Sequence, residues 1–171
     1  MKSLMELTQE TGLPVDPHLL LDLVIPVHDG FQAQGDLLVA PLHELADRVR
    51  TRGDAAWSEV APGGVELLRG AAGGNAHMLV ADPGTCVWTA DVDDADQLAL
   101  AIVDALAPVY LMHREHGGAG LAAGTYVIRR QRELVPPAAP LHRLDPAIHR
   151  EVPRGVQQEQ AMRPRVRYIA D

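Results

Sequence analysis

Turn-forming residues recur along this chain at intervals so short that few stretches suit anything longer than a strand or a small helix. Asp29-Gly30, Gly53, Pro62-Gly63-Gly64, Gly70 to Gly74, Asp82-Pro83-Gly84 and Gly117-Gly118 each end a regular element by freeing or fixing the backbone. Leu19 to Val27 and Gly35 to Leu42 are dense apolar runs of strand length. Val65 to Leu68 and Ala76 to Val80 read as strands on either side of the glycine-rich turn, and Asp82-Pro83-Gly84 then suggests a hairpin into Thr85 to Ala90. From Pro108 to His113 the residues alternate. Val109, Leu111 and His113 share one face and Tyr110 and Met112 the other, so His113 points the same way as Leu111. Gly124 to Glu133 also alternates, with Tyr126, Ile128, Arg130 and Arg132 opposite Thr125, Val127, Arg129, Gln131 and Glu133.

Three segments carry helical spacing instead. Ser3 to Thr11 is stopped by Gly12 and Pro14, and Leu42 to Arg52 places Leu42, Leu45, Ala46 and Val49 on one face. Over 94 to 106, Leu98, Ile102, Val103 and Leu106 form an apolar face behind an N-cap-like run, Asp91 to Asp94. The expected fold is α+β: a small, mainly antiparallel sheet or barrel-like core with one or two packed helices and a Pro/Arg-rich C-terminal arm. Residues 1–18 are expected to be peripheral, 19–133 to form the globular domain, and 134–171 to form the arm with a returning edge strand. Six prolines in residues 134 to 165 support the arm.

The 171 residues suit one domain, and with 4% aromatic content the core must come from Leu, Val, Ile and Ala. Cys86 is alone, which excludes an internal disulfide and a cysteine-based zinc knuckle. No apolar run has bilayer length and Met1 to Leu23 has no signal-peptide pattern, so no membrane partner and a cytoplasmic location are expected. Charge is uneven: the net charge is −8, yet residues 129 to 171 hold nine arginines and five acids, a local +4 that leaves −12 on the rest.

His113-Arg114-Glu115-His116 places two imidazoles and a carboxylate within four residues, and His77 lies beside the glycine turn. Imidazole and carboxylate are ordinary donors for zinc, manganese or iron. His113 and His116 converge only if the chain turns near Glu115, because an uninterrupted strand sends them to opposite faces. The spacing also differs from the helical His-Glu-x-x-His of metalloproteases. The alternative is that these histidines only fix a turn. His18, His28, His43, His142 and His149 sit in solvated contexts. The glycine run lacks the lysine and hydroxyl of a P-loop, and neither Ser3 nor Ser58 sits in a nucleophile elbow. Cys86 reads as a buried, inert thiol.

Taken together, Gly35-Asp36-Leu37-Leu38-Val39, Gly74-Asn75-Ala76-His77, His113-Arg114-Glu115-His116, Gly124 to Glu133 and the closing Ile169-Ala170-Asp171 resemble a family of small bacterial and phage proteins. That family carries Gly-Asp-hydrophobic, Gly-His-x-His, His-x-Glu-His and Gly-x-Tyr-x-Val-x-Arg-Gln-Arg-Glu-Tyr segments, followed by a terminal Ala-Asp. The resemblance spans roughly residues 30 to 133 and the last few, with insertions around 42 to 64 and 134 to 165. It singles out His77, His113, Glu115, His116, Tyr126, Gln131, Arg132 and Glu133, and implies no particular activity. The chain departs from the pattern at Asn75, where the family has histidine, and at Leu134, where it has tyrosine. The spacing is also similar to that of cupin-type barrels, as an analogy of fold.

Two functions follow as expectations. The preferred one is a non-catalytic adaptor or structural subunit of a phage- or defence-type assembly. It would grip a protein partner, or nucleic acid, through Arg129, Arg130, Arg132, Arg163, Arg165 and Arg167; Asn75 and the long arm favour it. The alternative is a small metal-binding protein and metal-dependent hydrolase, with His77, His113 and His116 holding a divalent transition metal and Glu115 or Glu133 as general base.

Overall fold

The computed structural model describes residues 1–70, 74–135 and 165–168, with side chains through residue 132. In chain order the elements are α1 (Leu4–Thr11), β1 (Val27–His28), β2 (Gln32–Gln34), β3 (Leu37–Pro41), a 3-10 turn (Leu42–Leu45), β4 (Val49–Thr51), β5 (Ser58–Glu59) and β6 (Val65–Arg69). They continue with β7 (Ala76–Val80), β8 (Cys86–Thr89), β9 (Val92–Asp94), β10 (Ala99–Ala105), β11 (Val109–His113), β12 (Gly117–Leu121), β13 (Gly124–Arg130), β14 (Arg132–Val135) and β15 (Arg165–Tyr168). Contacts divide the chain into one unit formed chiefly by Met1–Gln131 and another, Arg132–Arg167. In the second, β14 pairs with β15.

The first unit holds a five-stranded sheet, ordered β1-β12-β11-β7-β6, and a six-stranded sheet, ordered β2-β3-β13-β10-β8-β5. Strand alternation assigns each side chain to a layer. Leu79, Val109, Leu111 and Leu121 of the first sheet share one core with Leu37, Val39, Val103, Tyr126 and Ile128 of the second. The opposite residues of β7 and β11, Val80, Tyr110 and Met112, are covered by Leu4 and Leu7 of α1 and by Ile25. On the outer face of the six-stranded sheet, Ala40, Ile102 and Val127 pack against Val49 of the β4–β9 ribbon, with Leu42, Leu45 and Val92 around them.

The described residues are therefore mostly β, in several sheets and with no barrel among them, and this overturns the expected α+β class. The clearest reversal is 94 to 106. Ile102 and Val103 face opposite layers of the central strand β10, and Leu106 is 78% exposed, so these residues share no helical face. The acids before them belong to the β9 ribbon and its turn, where Asp94 accepts the amides of Asp96, Leu98 and Ala99. The Leu42 to Arg52 helix shortens to the 3-10 turn followed by β4. The Asp82-Pro83-Gly84 turn closes no hairpin, because β7 and β8 lie in different sheets.

The N-terminal helix forms as expected and is part of the fold. Ser3 and Glu6 make a reciprocal capping box, Gly12 ends the helix at φ +71°, and Leu4 and Leu7 are buried. Beyond it, β1 runs parallel to β12, with Val27 opposite Gly120. The approach is close enough that a Cβ on Gly120 would sit 2.7 Å from the Pro26 carbonyl oxygen. Among the described residues, no helix is long and apolar enough to cross a membrane.

Candidate functional site

His77 and His113 end up inside the sandwich through strand parity. β7 and β11 are antiparallel, with Leu79 opposite Leu111 and Met78 opposite Met112. His77 and His113 follow on the inward side and are 1% and 2% exposed. The chain then turns, and His113 pairs with Gly117 to open the return strand at φ +73°. That turn meets the condition the spacing set. The His113 ring lies 4.5 Å from His116 and 4.3 Å from His77, centroid to centroid, and His77 and His116 are 6.2 Å apart. The three separations describe a nearly right-angled triangle with His113 at the corner, running from the core to exposed His116.

Hydrogen bonds fix this arrangement. His113 Nδ1 accepts the amides of Glu115 and His116 at 3.2 and 3.3 Å. In the neutral ring the proton therefore sits on Nε2. His77 Nε2 is 2.8 Å from Asp36 Oδ1, with both side chains buried, and its Nδ1 faces Gln34 Oε1 at 3.3 Å. The Gln34 amide cannot usefully flip, since its Nε2 donates to the carbonyls of Leu111 and Gly117. His77 thus holds a proton on Nδ1 and shares another with Asp36, a neutral pair overall. Gln131 braces the same corner: its amide donates to the Asp36 carbonyl and its side chain to the Leu37 carbonyl, both at 2.8 Å.

At the surface, Asn75 Nδ2 donates to Glu115 Oε1 at 2.9 Å. Asp16 clamps the turn, with its amide bonded to the Arg114 carbonyl at 2.9 Å and its carboxylate to Arg114 Nε at 2.8 Å. His113, Glu115 and His116 each offer a ligand atom, all within 4.8 Å of one another. Both His77 nitrogens are engaged behind this group; the sequence reading set His77 with His113 and His116 as ligands and Glu115 as a general base. Asp36 and Gln34 were missed as site residues; the Gly35-Asp36 pair before a strand was their visible signal.

The other expected residues are dispersed. Arg129 is buried, and its guanidinium is bonded to Asp94 and Asp96 at 3.0 and 2.9 Å, which makes it part of the scaffold. Burial pushes the Asp94 carboxyl up, but the amides of Asp96, Ala99 and Leu98, with the Arg129 charge, outweigh it and hold the group below its usual range. Arg130 and Arg132 are exposed. The side chains of Glu133, Arg165 and Arg167, and all of Arg163 with most of the arm, lie outside the described residues. Cys86 is buried in β8, and burial together with Asp104 pushes its thiol up to about 11. Tyr126 lies in the core. His18, His28 and His43 are exposed.

No curated protein and no solved structure matches the chain. A family model described as a domain of unknown function, DUF8820, matches residues 33–131. Gln34, Asp36, His77, His113, Glu115, His116 and Gln131 all fall inside that span, and the chain belongs to the DUF8820 family.

Proposed function

We propose that this chain is a small metal-binding protein that holds a divalent transition metal on His113, Glu115 and His116. The observation that carries this reading is the convergence of two imidazoles and a carboxylate, with ligand atoms within 4.8 Å, on one hairpin turn. Two nitrogens and an oxygen suit zinc, and three protein donors leave at least one position open on the ion, as in catalytic rather than closed structural sites. The buried Asp36–His77 pair supports the site from within, where His77 stacks on His113.

Loading has a specific local cost. Coordination through Nδ1 of His113 displaces the two amides it accepts, and coordination through Nε2 moves the ring proton onto Nδ1 and breaks the same contacts. Either way the turn exchanges two long hydrogen bonds for a metal bond. The adaptor expectation rests on the arm, most of which lies outside the described residues.

The test is calorimetric titration of metal-stripped protein with zinc, alongside amide NMR. One equivalent should bind, the Glu115 and His116 amide signals should shift, and His116→Ala should weaken binding at least about tenfold. Absence of stoichiometric binding, or equal binding by His116→Ala, overturns the reading.

A further inference from the structure

Beside the hairpin, on the outer face of the five-stranded sheet, a cleft of about 320 Å³ remains where α1 does not reach. Its lining includes Met78 and Met112, which face each other in strand register. Leu13 and Val15, from the segment after α1, form one wall, and the Glu66–Arg69 ion pair lines another part. His113 and Asn75 also line it, and Asn75 is the residue bonded to Glu115.

We propose that this cleft binds a compact, uncharged, largely apolar molecule, seated on Met78 and Met112 with its polar end towards Asn75. Three properties specify that class. Its volume lies at the low end for small-molecule sites, which suits one or two fused rings. Paired methionines make an unbranched, polarizable surface that adapts to flat apolar ligands. Both guanidiniums at the cleft already have carboxylate partners, Arg69 with Glu66 and Arg114 with Asp16, so neither sign of ligand charge is favoured. The His113 ring is turned to the inner face of the sheet, away from Met78 and Met112, so this inference stands apart from the metal reading.

The chain has five methionines, Met1, Met5, Met78, Met112 and Met162, so carbon-13 methyl labelling gives a small spectrum with built-in controls. The probe is indole, titrated into metal-free and zinc-loaded full-length protein, with benzoate and benzylammonium as charged comparators. Saturable shifts of the Met78 and Met112 methyls near about 1 mM, with Met1 and Met5 still, are expected, and charged probes should bind at least tenfold more weakly. Met112→Leu, which conserves volume, should keep the Met78 response, while Val15→Asp should abolish it. Linear, unsaturable shifts, shifts across all five methyls, or equal affinity for the charged probes overturn the proposal. Saturation by indole without zinc binding leaves the cleft standing and removes the metal, and zinc binding without methyl shifts does the reverse.

Discussion

Two buried acid–base pairs occupy opposite parts of this fold and are built to different ends. Asp94 and Arg129 lie under the β4–β9 ribbon, where Asp94 takes three amides and the guanidinium, and Arg129 reaches on to Asp96. Every partner there is part of the same knot, which ties the turn after β9 to β13. Asp36 and His77 lie inside the sandwich, where the imidazole also stacks on a second ring that stacks on a third at the surface. The first pair reaches the surface through Asp96, which is also ion-paired with half-exposed Arg48. The second continues to solvent through a stack of imidazole rings, where the first continues through an ion pair.

Four variants and one pH series would break or sharpen that contrast. Arg129→Ala leaves a buried carboxylate without its cation and should cost about 3–5 kcal/mol in urea denaturation while changing zinc affinity less than twofold. A matching loss of zinc binding would collapse the distinction. Asp36→Asn keeps the shape but removes the charge opposite His77; a cost of about 2 kcal/mol is expected, together with shifts of the His77 and His113 ring signals in nitrogen-15 NMR. Gly120→Ala meets the backbone of Pro26 and should cost about 1–3 kcal/mol without moving those ring signals.

The pH dependence follows from the lowered Asp94 carboxyl. Its stabilisation is fully present above the ordinary carboxylate range and disappears as pH falls through its depressed folded value. Thermal midpoints measured from about pH 7 down to about pH 3 should therefore fall, and should fall less steeply in Arg129→Ala. His116→Ala carries the smallest stability effect, within about 0.5 kcal/mol, because the ring is exposed; it should nonetheless lose zinc.

The period of two was readable in β11, although both of its faces are buried. Val109, Leu111 and His113 do face inward, with Tyr110 and Met112 outward. β10, with its faces covered by the opposing sheet and by the ribbon, was not readable as a strand. Its apolar residues follow one another without alternation, and the spacing that remains imitates a helix. The acids before it misled for a related reason. Asp94 caps amides as an N-cap does, but those amides belong to a turn. At the site, the local cluster was legible and its long-range partners were not, since Asp36 and Gln34 meet His77 only after two sheets have assembled.

The six-stranded sheet also sets an order of events at the ribosome. β3 and β13 are hydrogen-bonded neighbours in its middle, with Leu37 paired to Arg130 and Pro41 to Tyr126. A nascent chain therefore carries β3 past dozens of later residues before its partner emerges, and no stable sandwich exists until β13 is made. Until then Leu37 and Val39 are unprotected apolar side chains, and the Asp36–His77 pair has no Gln131 to brace it. The last strand of the matched family span thus acts as the closing stitch, and a truncation just short of it should yield an aggregating fragment rather than a smaller folded protein.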